Sequence, residues 1–140
     1  MSEPAIVSLT PVGFIRSSLK HRADAPRQGS EGAPDAVLQM VPNVEEGTDG
    51  ITVGQEIIVV TWLHQARRDV LKVHPRNDEN LPLTGVFATR SPDRPNPLGL
   101  HRVRVLDIAG KQLKVGPIEA IDGTPVVDIK PVLQSSEDSY

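Results

Sequence analysis

No cysteine occurs in the 140-residue chain, which excludes disulfides, thiolate zinc sites and a cysteine nucleophile together. Aromatic residues are nearly as scarce: Phe14, Trp62, Phe87 and Tyr140 are the whole set. So few rings make a poor stacking platform for single-stranded nucleic acid. No apolar run approaches the roughly 20 residues that a membrane-spanning helix needs. Met1-Ser2-Glu3-Pro4 lacks the basic segment and apolar stretch of a secretory signal. A cytoplasmic protein without a membrane partner is the expectation. Positive charge is not in excess either, with 15 Lys and Arg against 18 Asp and Glu. That balance argues against a whole-surface grip on nucleic acid, and DNA is not expected as a partner. Basic residues do cluster locally, at Arg67-Arg68 and at Arg90, Arg94, Arg102 and Arg104.

Proline and glycine, by contrast, are plentiful at 13 and 11 residues, and they favour short strands and turns over long helices. Segment 5–16 reads as a first strand interrupted near Pro11, and 17–35 as a long polar loop holding Pro26-Arg27-Gln28. Such a loop is more often functional or disordered than inert. Strands are predicted over 36–41 and 55–63, with one helical turn or a loop between them. Residues 69–73 are expected to extend the second of these into a hairpin, and 83–88 to form a further strand. Residues 98–108 alternate apolar and polar with one break of phase, as a bulge gives. A turn at 109–111 leads into 112–115, and Asp122-Gly123 turns the chain into a last strand at 126–129. The fold class is therefore mainly β: a compact antiparallel β-barrel with minor helix, one domain over 1–140, core 5–133 and a flexible tail at 134–140.

Two stretches carry chemistry. In Gly85–Leu100, GVFATRSPDRPNPLGL, three closely spaced prolines, Pro92, Pro95 and Pro97, stiffen a loop that bears Arg90 and Arg94. A guanidinium fork suits a carboxylate or a phosphate, and Asn96 suits a base edge or a ribose. The plainer reading is a rigid surface loop with internal pairing, for instance to Asp93. In Glu119–Pro131, EAIDGTPVVDIKP, Asp128 and Lys130 lie two residues apart on a strand and so share one face. They form either a solvated ion pair or one wall of a polar pocket. His64 and His74 lack a carboxylate at ligand spacing, and Ser91 lacks a His/Asp partner, so neither a metal site nor a serine hydrolase is expected.

These strings, with the early VGFIRS and PRQG, resemble the TsaA-like (TrmO) family over about residues 9–133. The resemblance implies a β-barrel methyltransferase that binds S-adenosylmethionine near the interface of a homodimer. It implies a tRNA partner, methylated at N6 of threonylcarbamoyladenosine beside the anticodon. By position in the shared motifs, Arg27, Gln28, Arg90, Ser91, Arg94, Asn96 and Leu100 border the cofactor. Asp122, Thr124, Asp128 and Lys130 complete the pocket. His101 stands where the family often has a small hydroxyl residue.

Methyl transfer to a poorly nucleophilic nitrogen is helped by a base. Asp128 and Asp122 are the candidate carboxylates, His101 a third choice, and Lys130 is placed to orient the acceptor. The rival functions are methylation of a small molecule or another acceptor, and cofactor binding without turnover.

Overall fold

Branched apolar side chains at every second position give this chain strands with one face made for a core. The computed structural model describes residues 5–133. Its strands are β1 (Gly13–Arg16), β2 (Ala36–Met40), β3 (Glu56–Trp62), β4 (Lys72–Val73), β5 (Thr84–Gly85), β6 (Leu98–Ala109), β7 (Gln112–Gly116) and β8 (Pro125–Pro131). Six of them close into an antiparallel barrel in the order β1-β2-β7-β6-β3-β8, so the main sheet has no free edge. β6 makes closure feasible. Its first half, Leu98–Arg104, pairs with β3, and its second half, Arg104–Ala109, pairs with β7. The register shifts between Val105 and Asp107, the break of phase predicted from the sequence.

Inward positions alternate along each strand: Leu38 and Met40, Ile57 and Val59, Val103 and Val105, Leu113 and Val115. Burying each such side chain contributes about 1.5–3 kcal/mol, enough for a core without covalent staples. Among the described residues the helical segments are all short 3-10 turns, at 22–24, 29–31, 42–48, 75–77 and 86–88. None is long and apolar enough to cross a membrane.

Three expectations need correction. The first strand begins at Gly13, not residue 5, and Ile6 and Val7 are exposed. Pro11 has no amide to donate, so ladder bonding starts only with Val12, which donates to the Val126 carbonyl. Residues 69–73 do not extend β3; only Lys72–Val73 is strand, paired with β5 in a separate two-stranded sheet. Of 83–88, only Thr84–Gly85 is strand, and Val86–Ala88 turns as a 3-10 segment. The tail at 134–140 lies outside the described residues.

Candidate functional site

One end of the barrel carries both the 17–35 and the 89–97 segments. β1, β3 and β7 finish there, and β2, β6 and β8 start there. Pro92, Pro95 and Pro97 can donate no ladder bonds. Backbone bonds from the Arg94 amide to the Arg67 carbonyl and from the Leu63 amide to the Pro97 carbonyl hold the 89–97 loop, and side chains fix the rest of its shape. Arg94 fixes it from inside. Its Nη1 donates to the Thr89 and Ser91 carbonyls at 3.1 and 2.8 Å, and its Nη2 to the Val86 carbonyl at 2.9 Å. Asp93 fixes it from outside, accepting from Arg22 Nη2 and from the Arg67 amide, each at 2.8 Å. The internal pairing envisaged from the sequence is thus made with Arg22 and Arg67, not with Arg90 or Arg94. Burial works to raise the Asp93 pKa, but the Arg22 guanidinium and the Arg67 amide outweigh it and hold the carboxyl below its ordinary value.

Arg68 completes the frame. Its Nε donates to the Pro95 carbonyl at 2.7 Å, its Nη2 to Asn96 Oδ1 at 3.1 Å, and its guanidinium lies 5.0 Å from the Trp62 ring centroid. Nothing in the sequence pattern singled out Arg22, and the Arg67-Arg68 pair read only as a basic cluster. Its position between a strand and a proline-rich loop is the signal that was there to use.

Thr89 adds to the frame, its hydroxyl donating to the Val86 carbonyl and accepting the Ser91 amide, each at 3.1 Å. Among the described residues, the Arg90 guanidinium and the Ser91 hydroxyl have no hydrogen-bonding partner. Gln28 also has a free side chain, while Arg27 Nη2 donates to the Arg76 carbonyl at 2.9 Å. Arg22–Asp93 ties the segment bearing Arg27 and Gln28 to the loop bearing Arg90 and Ser91.

The residues of the last motif divide. Asp122 Oδ1 accepts the Ser17 amide at 2.9 Å, and its Oδ2 lies 3.2 Å from Lys20 Nζ. The Ser17 amide, then Lys20, lower its pKa, so this carboxylate is a clip with weakened basicity. Thr124 is buried and donates its hydroxyl proton to the Ile121 carbonyl at 2.6 Å. Asp128 and Lys130 do share the outer face of β8, 3.5 Å apart and each about half exposed, at 53% and 51%. Across β3 and β6, Val60 and Leu100 continue the row from Asp128, and Ile58 and Arg102 the row from Lys130. Leu100 thus links the loop end of β6 to the two charged residues, which lie farther along the barrel wall.

Sequence reasoning missed one buried polar chain. Thr61 Oγ1 lies 2.7 Å from His101 Nε2, and His101 Nδ1 lies 2.5 Å from Glu119 Oε1. The alternation of β6 turns His101 inward, which removes it as a base in direct contact with an acceptor. Among the described residues, no three His, Asp or Glu side chains converge as a metal site.

The family model described as the tRNA-methyltransferase O N-terminal domain matches residues 14–138. A probable S-adenosyl-L-methionine-binding protein of Methanothermobacter thermautotrophicus is 42% identical over 125 residues, 89% of either chain. An S-adenosyl-L-methionine-binding protein of Archaeoglobus fulgidus is 40% identical, over 87% of this chain and 86% of its own. The crystal structure of TrmO from Pseudomonas aeruginosa superposes with a TM-score of 0.74 at 29% identity, over 97% of this chain. This chain spans 61% of that longer one. With its barrel and its motif loops both matched, the chain belongs to the tRNA-methyltransferase O N-terminal domain family.

Proposed function

We propose that the protein binds S-adenosylmethionine where segments 17–35 and 89–97 meet, and is a methyltransferase whose acceptor is a modified tRNA base. The observation that carries this reading is the division of labour in the 89–97 loop. Arg94, Asp93 and Asn96 are engaged in holding the loop, while Arg90 and Ser91 are left free on a rigid frame. Groups held rigid before binding lose little freedom on binding.

The donor set fits the ligand. A free guanidinium suits its carboxylate, the Gln28 amide and Ser91 hydroxyl suit its sugar and base edges, and exposed Leu98 and Leu100 offer apolar contact. Bound, S-adenosylmethionine supplies the electrophilic methyl carbon. Asp128 is the carboxylate assigned to receive the proton of the acceptor nitrogen, with Lys130 orienting that acceptor. Arg27, Asn96, Asp122 and Thr124 shape the surrounding backbone. A second copy, covering the Leu98–Leu100 face, places Asp128 and Lys130 within a shared pocket; the protein acts as a homodimer of single-domain chains. The names of the relatives support the ligand, and the name of the family supports the acceptor.

The test is nucleoside mass spectrometry of tRNA bearing threonylcarbamoyladenosine, incubated with protein and S-adenosylmethionine. A gain of one methyl on that nucleoside is expected. Cofactor binding by calorimetry with no methyl gain on tRNA or small acceptors would point to a binding module, in line with how the relatives are named.

A further inference from the structure

The buried chain Thr61–His101–Glu119 ends in an unspent carboxylate oxygen at the candidate site. A carboxylate only accepts, so His101 Nδ1 carries the proton shared with Glu119 Oε1 over 2.5 Å. With the imidazole neutral, Nε2 then accepts from the Thr61 hydroxyl at 2.7 Å. The two inner members of the chain are sealed: Thr61 is 0% exposed, and the His101 side chain 4%. The order hydroxyl–imidazole–carboxylate matches that of nucleophilic hydrolases, but no substrate reaches a hydroxyl so enclosed. Glu119 lies at the opposite, open end, with 19% of its side chain exposed.

Its free oxygen faces a defined place. A methyl on Gly29 would meet the Pro117 carbonyl oxygen at 2.7 Å and Glu119 Oε2 at 3.4 Å, so Oε2 lies against the turn that follows Arg27 and Gln28. No donor reaches Oε2 among the described residues. Ordering this carboxylate with a buried imidazole, itself held by a buried hydroxyl, and leaving its outer oxygen bare is the arrangement of a ligand-facing acceptor.

We propose that Glu119 is a ligand-binding residue of the site, accepting a hydrogen bond through Oε2 from an N–H or O–H donor of the bound nucleoside cofactor. His101 and Thr61 are its positioning residues. The inference rests on the cofactor reading above. The donor is either a ribose hydroxyl or the amino-acid ammonium.

Calorimetry with S-adenosylmethionine and with 5′-methylthioadenosine, which keeps the ribose and lacks the ammonium, separates these sources. Glu119→Gln retains an acceptor for His101 and loses the charge, and it should weaken S-adenosylmethionine binding about tenfold to a hundredfold. Equal weakening of both ligands identifies a ribose hydroxyl, and weakening confined to S-adenosylmethionine identifies the ammonium. Wild-type affinity of Glu119→Gln for both ligands overturns the proposal. Absence of binding by the wild-type protein overturns the cofactor reading instead. Thr61→Val, which keeps shape and removes the hydroxyl, should weaken binding by a smaller factor in the wild-type background and not at all in Glu119→Gln. An equal loss in both backgrounds, or none in either, would remove the positioning role of the buried chain.

Discussion

Arg94 reaches back eight residues to the Val86 carbonyl and closes a 2.9 Å hydrogen bond that fastens the 89–97 loop to the turn before it. Its neighbour Arg90 makes no comparable bond, so the two guanidinium groups should behave differently on removal. Arg94→Ala removes the guanidinium shared by three carbonyls, of which only that of Val86 keeps other donors (the Thr89 amide and hydroxyl), and should lower stability by about 1–3 kcal/mol in denaturant titrations. Arg90→Ala should leave the unfolding midpoint unchanged and weaken S-adenosylmethionine binding in calorimetry. Equal loss of stability in both variants would contradict this split.

Acid should loosen the same loop. The Asp93 carboxyl is held below its ordinary value, so its contribution is fully present above that ordinary pKa and disappears as pH falls through the lower folded-state pKa. Trp62 is the one tryptophan and lies beneath Arg68, which itself holds Pro95 and Asn96. Its fluorescence should therefore change in that acidic window. In Asp93→Asn the step should be absent or much reduced.

Gly99 has no space for a side chain. A Cβ there would lie 2.5 Å from Thr61 Oγ1 and 2.7 Å from His101 Nε2. Gly99→Ala must displace both groups within the barrel, and a cost of about 1–3 kcal/mol is expected. Thermal melts give the stability, and the His101 ring signals in an NMR spectrum should shift with it. A variant with wild-type melting and unshifted ring signals would place the hydroxyl and imidazole elsewhere.

Asp128 and Lys130 are half exposed, and water screens their attraction. Asp128→Asn and Lys130→Ala should each cost less than about 1 kcal/mol of stability. Once the acceptor is known, Asp128→Asn should slow the single-turnover rate by about 10²–10⁴-fold while Lys130→Ala chiefly raises the acceptor KM. Wild-type rates in both would leave the pair as surface decoration.

The barrel strands were legible because their pattern is local: QEIIVVTWL shows a continuous β-branched run, and LGLHRVRVL a near-alternation, without reference to any neighbour. The bulge in β6 was legible for the same reason, as a phase break within one string. The short pieces were misread because their fate is decided elsewhere. Val86–Ala88 has the apolar character of a strand, yet Arg94 gathers the carbonyls around it into a turn. In the candidate site, the motif strings pointed to two loops but not to the division of roles within them. Arg90 and Arg94 look alike in sequence, and only the backbone path shows which of them faces inward. His101 and Glu119 are 18 residues apart, and Thr61 is 40 from His101; no local spacing announces that chain.

β6 serves two masters. Its first half is zipped to β3 and its second to β7, and the same strand shows Leu100 to the outside and His101 to the inside. A single residue deleted between Leu98 and Arg104 would exchange these faces at one stroke, sending an imidazole outward and a leucine into the buried polar chain. The loop upstream is constrained differently: its prolines donate nothing to the ladder, Arg94, Asp93 and Arg68 set its path, and the Pro97 carbonyl accepts the Leu63 amide as the last link to β3. A residue lost from the loop would disturb those contacts but leave the faces of β6 as they are, whereas a residue lost just beyond Pro97 turns the barrel wall over.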